Sequence, residues 1–226
     1  MKKIISSVLA LAMVLCIFPF AGFSLTAFAA SESDLTFELT YDGYSYEVSD
    51  CNENASGELV IPSEYNGKPV TRIGDEAFKD CKAITSVTIP DSLIIIGNRA
   101  FENCTGLISI TIPNSVTDIY TDVFKNCIGL KEISVSPDNS DYSSQNGILF
   151  NKDKTMLKTY PCGKSETSYT VPSTVVTIGE GAFRYCYNIT SVTIPDSVTN
   201  IYSGAFENCT GLTSVTIPNS VTYISD

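Results

Sequence analysis

The hydrophobic positions of this chain return in the same order every 23 residues over much of its length. An Ala-Phe pair marks each copy most clearly, at Ala77, Ala100, Ala182 and Ala205, and Val123 opens a variant of the same unit. A fixed period of this length is the signature of stacked repeats, in which each copy is too small to bury its apolar face alone. The pattern therefore predicts a solenoid.

Two periodicities alternate within one copy. Val215 and Ile217 are two residues apart, which is the strand period, whereas the spacing from Ala205 to Cys209 suits one helical turn. Pro218 follows the strand and cannot donate to a ladder hydrogen bond. The copy predicts a β-rich solenoid, with a parallel β-sheet on one face and short helical turns on the other.

Seven strands of this kind are predicted, and their inward Val, Ile or Leu residues would be buried by stacking. We expect all seven to pair in parallel in one sheet, roughly 30 Å long at about 4.8 Å per strand. The strands are 59–61, 87–89, 110–112, 133–135, 169–171, 192–194 and 215–217.

Two segments depart from the simple array, and they give the domain organisation. Residues 30–56 contain alternating apolar positions around Asp42-Gly43, which predicts an N-terminal β-hairpin cap on the first rung. The tyrosines of this hairpin could alternatively stack on a sugar. The solenoid occupies 57–226, with an irregular rung at 136–168, where apolar stretches flank Asn151-Lys152-Asp153-Lys154 and predict a second hairpin. This rung either continues the stack or projects as a binding element.

The first 29 residues have the form of a signal peptide. Lys2 and Lys3 precede an apolar run, and Ala27-Phe28-Ala29 supplies small residues for cleavage after Ala29. A transmembrane anchor is the alternative, although Pro19 interrupts the run. We expect a secreted or cell-surface protein with no membrane insertion after signal cleavage.

Composition narrows the possible chemistry. The net charge is −11, so nucleic acid is not an expected partner. No histidine is present, which removes Ser-His, Cys-His and His-based zinc chemistry. The polar cluster Asp138-Asn139-Ser140-Asp141 does not have the spacing of an EF-hand and is interpreted as a solvated turn. We expect no catalytic residues, no metal site and no cofactor.

Five cysteines occupy the same position in their copies, three residues after the aromatic residue. Parallel side chains in neighbouring rungs do not converge as a disulfide requires, so we interpret the column as buried thiols that act as small hydrophobes. A disulfide or metal ladder is the alternative. Cys51 and Cys162 lie outside the column and could pair with each other. The column consists of Cys81, Cys104, Cys127, Cys186 and Cys209.

The repeat pattern C-x-x-L-x-x-V-x-I-P-x-x-V-x-x-I-x-x-x-A-F resembles the BspA-type leucine-rich repeat, also called the Treponema pallidum type. The resemblance extends from about Leu59 to Asp226. It implies a bacterial or protist surface protein engaged in attachment to host proteins or other cells.

The outward residues of the strands form two columns of hydroxyls. They are either soluble strand formers or a hydrogen-bonding surface for an extended ligand. We expect a non-catalytic binding or adhesion module for an extracellular protein or glycan; the alternative is a structural spacer or targeting region of a larger exported protein. The candidate ligand-binding residues are Ser86, Thr88, Ser109, Thr111, Ser191, Thr193, Ser214 and Thr216.

The C-terminal rung is predicted to lack a cap. Terminal repeats usually present a polar outer face, and the last copy does not. We expect either that the sequence is a fragment of a longer protein or that this rung associates end to end with another copy.

Overall fold

The structure is a computed structural model that describes residues 31–225, so the predicted signal peptide lies outside the described residues. The predicted β-rich solenoid is confirmed, and each of the seven predicted strands is present. Within the described residues, one 3₁₀ helix, Glu32–Asp34, precedes nineteen strands. In chain order the strands are β1 (Leu35–Leu39), β2 (Tyr46–Cys51), β3 (Ser56–Val60), β4 (Glu64–Tyr65), β5 (Lys68–Ile73), β6 (Ala83–Thr88), β7 (Ile95–Ile96), β8 (Ser109–Ile112), β9 (Asp118–Ile119), β10 (Glu132–Val135), β11 (Tyr142–Gln145), β12 (Ile148–Asn151), β13 (Met156–Thr159), β14 (Ser168–Thr170), β15 (Thr177–Ile178), β16 (Ser191–Thr193), β17 (Asn200–Ile201), β18 (Ser214–Thr216) and β19 (Tyr223–Ile224).

Each regular rung contributes a longer strand and a shorter strand, and the two kinds of strand pair in separate parallel ladders. The longer strands pair in the orders β3-β6-β8-β10 and β14-β16-β18, and the two-residue strands continue β5 through β7 and β9, and β13 through β15, β17 and β19. The prediction of one seven-stranded sheet is therefore wrong, because the long strands form two sheets. The turn after β11 lies against the start of β10, where the Ile133 N–H donates to the Gly147 carbonyl over 2.9 Å.

The Ala-Phe segments are single turns rather than helices. Lys79 and Cys81 donate their N–H groups three residues back, to Glu76 and Phe78. The alternate groups, including the Phe78 N–H, donate to carbonyls of the next rung, and Glu76 and Asp80 have positive φ. An α-helix donates each N–H after its first turn to the carbonyl four residues earlier. Here the alternate N–H groups donate to the next rung, so bonds between stacked rungs replace the predicted helical turn.

The N-terminal hairpin is formed by β1 and β2, which pair antiparallel. The outer strand of the first rung, β5, pairs in parallel with β2, so the hairpin extends the second ladder. This arrangement confirms the predicted cap. In the first rung β2 covers the edge of β5, which would otherwise be open to pairing with another chain, whereas β3 is the last strand of its own ladder.

The irregular rung contains three antiparallel strands, one more than predicted. The hairpin between β12 and β13 is present, and β11 pairs with β12 across Asn146-Gly147. Both turn residues have positive φ, 53° and 75°, which is the type I′ turn that Asn-Gly favours.

The core is divided at β12. Leu149 packs into the N-terminal cluster of buried side chains, whereas Ile148 and Phe150 pack into the C-terminal cluster. The repeat aromatics stack within each half: Phe78 and Phe101 have ring centroids 4.9 Å apart, and Phe183 and Phe206 5.1 Å. The matching places predicted for these rings are confirmed within each half.

Four of the five column cysteines are buried thiols, as predicted. The Sγ atoms of Cys104 and Cys127 each lie 3.0 Å from the carbonyl oxygen of the phenylalanine one rung earlier. Desolvation raises the pKa of Cys104, and it raises that of Cys127 to about 12. These thiols therefore stay protonated and fill the core as small apolar groups with a weak donor.

The remaining column cysteine, Cys186, is disulfide-bonded to Cys162, with a Cα–Cα distance of 4.4 Å. The interpretation of Cys186 as a thiol is therefore wrong, and so is the pairing of Cys162 with Cys51. Tyr160 takes the phenylalanine position in its rung, donating its N–H to Ala182. Cys162 thus lies two rather than three residues after the aromatic, so its side chain is out of register with the column and can meet Cys186.

The polar cluster at 138–141 is not simply a solvated turn. Asn139 is fully buried, and its amide donates to the carbonyls of Pro113 and Val116 at 2.8 and 2.9 Å. Its Oδ1 accepts from the N–H groups of Asp141 and Tyr142. Every polar atom of the Asn139 side chain is therefore hydrogen-bonded. The residue has a structural role, because these bonds fix the start of β11.

Candidate functional site

The predicted hydroxyl columns lie side by side on the long strands of adjacent rungs. Ser86 is the register partner of Ser109, and strands in register are roughly 4.8 Å apart. Thr88 and Thr111 occupy the next outward positions and are exposed. The alternation of buried Val or Ile with outward Ser or Thr follows from the two-residue period of a strand.

These four residues line a shallow cleft of about 400 Å³ on the face of the first sheet. Asp91 and Asn114, from the turns after β6 and β8, add polar groups along one side. The rest of the lining is mainly Val, Ile and Pro, with no lysine or arginine. The cleft therefore offers neutral donors and acceptors with one carboxylate, which does not favour an anionic ligand.

The other four candidate residues form an equivalent group on the second sheet. Ser191 is the register partner of Ser214, and Thr193 of Thr216. Because β10 and β14 do not pair, the structure does not bring the eight residues together as one surface. It forms two separate groups of four.

None of the eight hydroxyls hydrogen-bonds another residue in the described range 31–225. Other hydroxyls of the repeat do so: Ser92 donates to the Val70 carbonyl over 2.7 Å, and Ser197 donates to Val175 over 2.7 Å. The repeat thus uses some of its hydroxyls to join rungs and leaves those on the sheet faces available. This distinction is not visible in the sequence, where all of them recur with the same period.

A second cavity, of about 350 Å³, lies where the irregular rung meets the regular ones. Its walls include Phe124, Lys158, Tyr160 and Thr159. Burial lowers the pKa of Lys158, and burial raises that of Tyr160 to about 12. This cavity was not predicted from the sequence. The signal that could have located it is the 36-residue step from Val135 to Val171, 13 residues longer than the repeat.

One ion pair crosses this cavity between rungs that are far apart in sequence. Arg184 Nη1 donates to the Asp122 carboxylate, and both side chains are 10% exposed. Arg184 Nε also lies 2.8 Å from Glu207. The guanidinium occupies the space beside Gly204, where a Cβ would overlap Nη2. Glycine at this position therefore makes room for the bridge.

No group of three or more potential ligands from Cys, Asp and Glu is placed to hold a metal ion within residues 31–225. Over the same range, the structure has no helix with the length and apolar character needed to cross a membrane.

A family model for the BspA-type leucine-rich repeat region matches residues 59–159 and 159–226, with six copies. The chain belongs to the BspA-type leucine-rich repeat family. No curated protein matches it at a significant level. The repeats account for the ladders described above, whereas the cavity lies at the interruption of the BspA-type array.

Solved bacterial structures share this fold. A T. pallidum leucine-rich repeat protein is 26% identical, with a TM-score of 0.58, and the match covers 87% of this chain and 86% of that one. A leucine-rich repeat protein from Eubacterium ventriosum is 26% identical, with a TM-score of 0.55, and 85% of this chain covers 66% of that one. The pneumococcal vaccine antigen PcpA is 20% identical, with a TM-score of 0.54 over 84% of this chain and 70% of that one, which shows a shared fold alone.

Proposed function

We propose that this protein is a non-catalytic binding or adhesion module outside the cell, and that it binds an extended protein or glycan through the hydroxyl-bearing face of its first sheet. The observation that carries the proposal is the set of unpaired hydroxyls of Ser86, Thr88, Ser109 and Thr111, which meet in one cleft. Hydroxyl groups without protein partners can exchange water for a ligand's donors and acceptors without losing internal hydrogen bonds.

The location of the protein is part of the same proposal. The form of residues 1–29 favours export, and one protein of the same fold is a vaccine antigen. A regular strand spacing of roughly 4.8 Å suits a ligand that repeats its hydrogen-bonding groups along its length. An extended glycan or an extended protein segment has this property.

An array of glycans and extracellular matrix proteins tests the proposal, with the chain from residue 30 onward as the probe. The double variant Thr88→Lys and Thr111→Lys should weaken the binding of any array ligand by at least about tenfold, because two flexible charged side chains would fill the cleft. The matched control, Thr117→Lys and Thr222→Lys, adds the same charge at exposed positions outside the cleft. It should bind as the unmodified protein does.

Circular dichroism and thermal unfolding establish that both double variants fold. Equal binding by the cleft variant and the control would refute the assignment to this face. Absence of any ligand on the array, with the fold intact, would instead support a structural spacer.

A further inference from the structure

Stacked Ala-Phe turns are joined by a fixed set of backbone hydrogen bonds. The turn around Phe78 donates three alternate N–H groups to carbonyls of the next turn, at 2.7–2.9 Å. The turns around Phe101 and Phe183 do the same toward the rungs that follow them. The nine donor–acceptor pairs are Glu76–Asn98, Phe78–Ala100, Asp80–Glu102, Arg99–Thr121, Phe101–Val123, Asn103–Lys125, Gly181–Ser203, Phe183–Ala205 and Tyr185–Glu207.

The turn around Phe124 lacks these bonds. The equivalent N–H groups, those of Asp122, Phe124 and Asn126, have no acceptor within the described residues 31–225. In the irregular rung, the strand that leads to Tyr160 pairs with β12 of the hairpin. The carbonyls of this strand therefore do not lie where those of a regular Ala-Phe turn would accept the N–H groups of the turn around Phe124.

The 350 Å³ cavity lies beside two of these three donors. Asp122 and Phe124 belong to its wall. The Phe124 ring stacks on Phe101 at 5.8 Å, but within residues 31–225 no aromatic ring from the following rung stacks on Phe124 as Phe101 does on Phe78. The volume is at the lower end of the range for ligand pockets, so it holds one aromatic side chain and a short length of backbone.

The cations around the cavity already have partners. Arg184 is paired with Asp122 and Glu207, and Lys125 Nζ lies 2.9 Å from Glu102. Lys158 Nζ lies 5.3 Å from the centre of the Tyr142 ring. The groups left for a ligand are therefore neutral N–H donors, the Tyr160 hydroxyl, which has no hydrogen-bond partner within residues 31–225, the Glu180 carboxylate and apolar side chains. This set suits peptide carbonyls and an aromatic side chain better than an anion.

We propose that this cavity binds a peptide segment of an extracellular partner that carries a small residue followed by an aromatic one. Its main-chain carbonyls would accept from the N–H groups of Asp122, Phe124 and Asn126, and its ring would pack against Phe124. Recognition of this kind takes affinity from main-chain hydrogen bonds and specificity from a side-chain pocket. The proposal is independent of the sheet face.

The probe is a six-residue peptide with the sequence of residues 203–208, Ser-Gly-Ala-Phe-Glu-Asn, acetylated and amidated at its ends. In the free protein, the amides of Asp122, Phe124 and Asn126 should exchange with solvent much faster than those of Arg99, Phe101 and Asn103. Adding the peptide should slow their exchange and shift their ¹⁵N–¹H resonances, with a Kd at or below about 1 mM.

Two changes test which interaction carries the binding. A peptide with alanine in place of its phenylalanine should bind on the order of 10- to 100-fold more weakly, because it buries no ring. Thr159→Phe places a ring at a residue of the cavity wall and should reduce binding similarly. Thr36→Phe, at an exposed strand residue of the N-terminal hairpin, is the matched control and should leave binding unchanged.

Several results would overturn the proposal. Peptide-dependent shifts confined to Gly204, Phe206 and Asn208, the same N–H positions in the last rung, would place binding outside the cavity. Binding of 3-phenylpropionate but not of the capped peptide, lost in Lys158→Met, would identify a carboxylate site instead. Slow exchange of the three amides in the free protein would remove its basis. The Thr88→Lys and Thr111→Lys variant should bind the peptide normally, so the two proposals fail separately.

Discussion

Replacement of Phe101 by alanine should destabilise the protein more than the same replacement at Phe206, although both hold the same place in the repeat. Phe101 is fully buried, and its ring lies between those of Phe78 and Phe124, at 4.9 and 5.8 Å. Phe206 is partly exposed and has one ring neighbour, Phe183, at 5.1 Å. The difference between the two variants therefore measures what a second stacked rung contributes.

The expected sizes follow from these contacts. Truncation of a buried phenylalanine to alanine costs about 3–5 kcal/mol, and each aromatic pair adds roughly 1 kcal/mol beyond the area that it buries. Phe101 loses two pairs and all of its burial, so Phe101→Ala should lower the free energy of unfolding by about 4–5 kcal/mol. Phe206→Ala loses one pair and less burial, so we expect about 2 kcal/mol.

Urea unfolding of the chain from residue 30 onward, followed by circular dichroism, measures both values. The dependence on urea must be the same in the two variants, since a change in slope would mean that the halves unfold separately. Losses that agree within about 0.5 kcal/mol, the usual scatter for independent sites, would refute the reasoning. The energy of a ring would then not depend on the number of its stacked neighbours.

The cysteines give two further tests, both read by urea unfolding. Burial raises the pKa of Cys127 to about 12 in the folded state, against 9.0 for a free thiol. From pH 9 to 12 the folded state therefore binds more protons than the unfolded state, and the free energy of unfolding falls as pH rises. Cys127→Ala should remove about 1.4 kcal/mol per pH unit from this slope, and an unchanged slope would contradict the burial of the thiol. The Cys162–Cys186 bond spans 24 residues, for which loop entropy gives about 3.5 kcal/mol. Cys162→Ser should lose that amount and become insensitive to dithiothreitol, whereas equal stability would contradict the cross-link.

The strands of the regular rungs could be predicted from sequence because the residue spacing that predicts each strand lies within a single repeat. Val192 and Ile194 are buried on either side of the exposed Thr193, as their two-residue spacing in the sequence predicts, and Pro218 lies two residues after the end of β18. The site residues were likewise predictable as outward positions. Their division into two groups was not, because it depends on whether β10 pairs with β14, which no residue within a repeat determines.

The turns and the disulfide needed information from outside each repeat. An Ala-Phe segment has the spacing of a helical turn, but its alternate N–H groups bond across rungs only because the next rung lies beneath it. Cys162 meets Cys186 because Tyr160 takes the aromatic position one residue closer to its cysteine than usual. The turn at Asn146-Gly147, in contrast, was predictable locally, because an Asn-Gly pair between two strands favours a two-residue hairpin turn.

The interruption of the repeat differs from the regular junctions in the backbone hydrogen bonds that it leaves unmade. In a regular junction, every alternate N–H of the turn has its acceptor in the next copy, so no donor remains for a ligand. The inserted hairpin removes that acceptor below Phe124 while Arg184 and Asp122 hold the flanking rungs together. A buried donor without a partner costs stability of about 1–3 kcal/mol. The same groups that stack the solenoid thus become available for binding at the point where the stacking is broken.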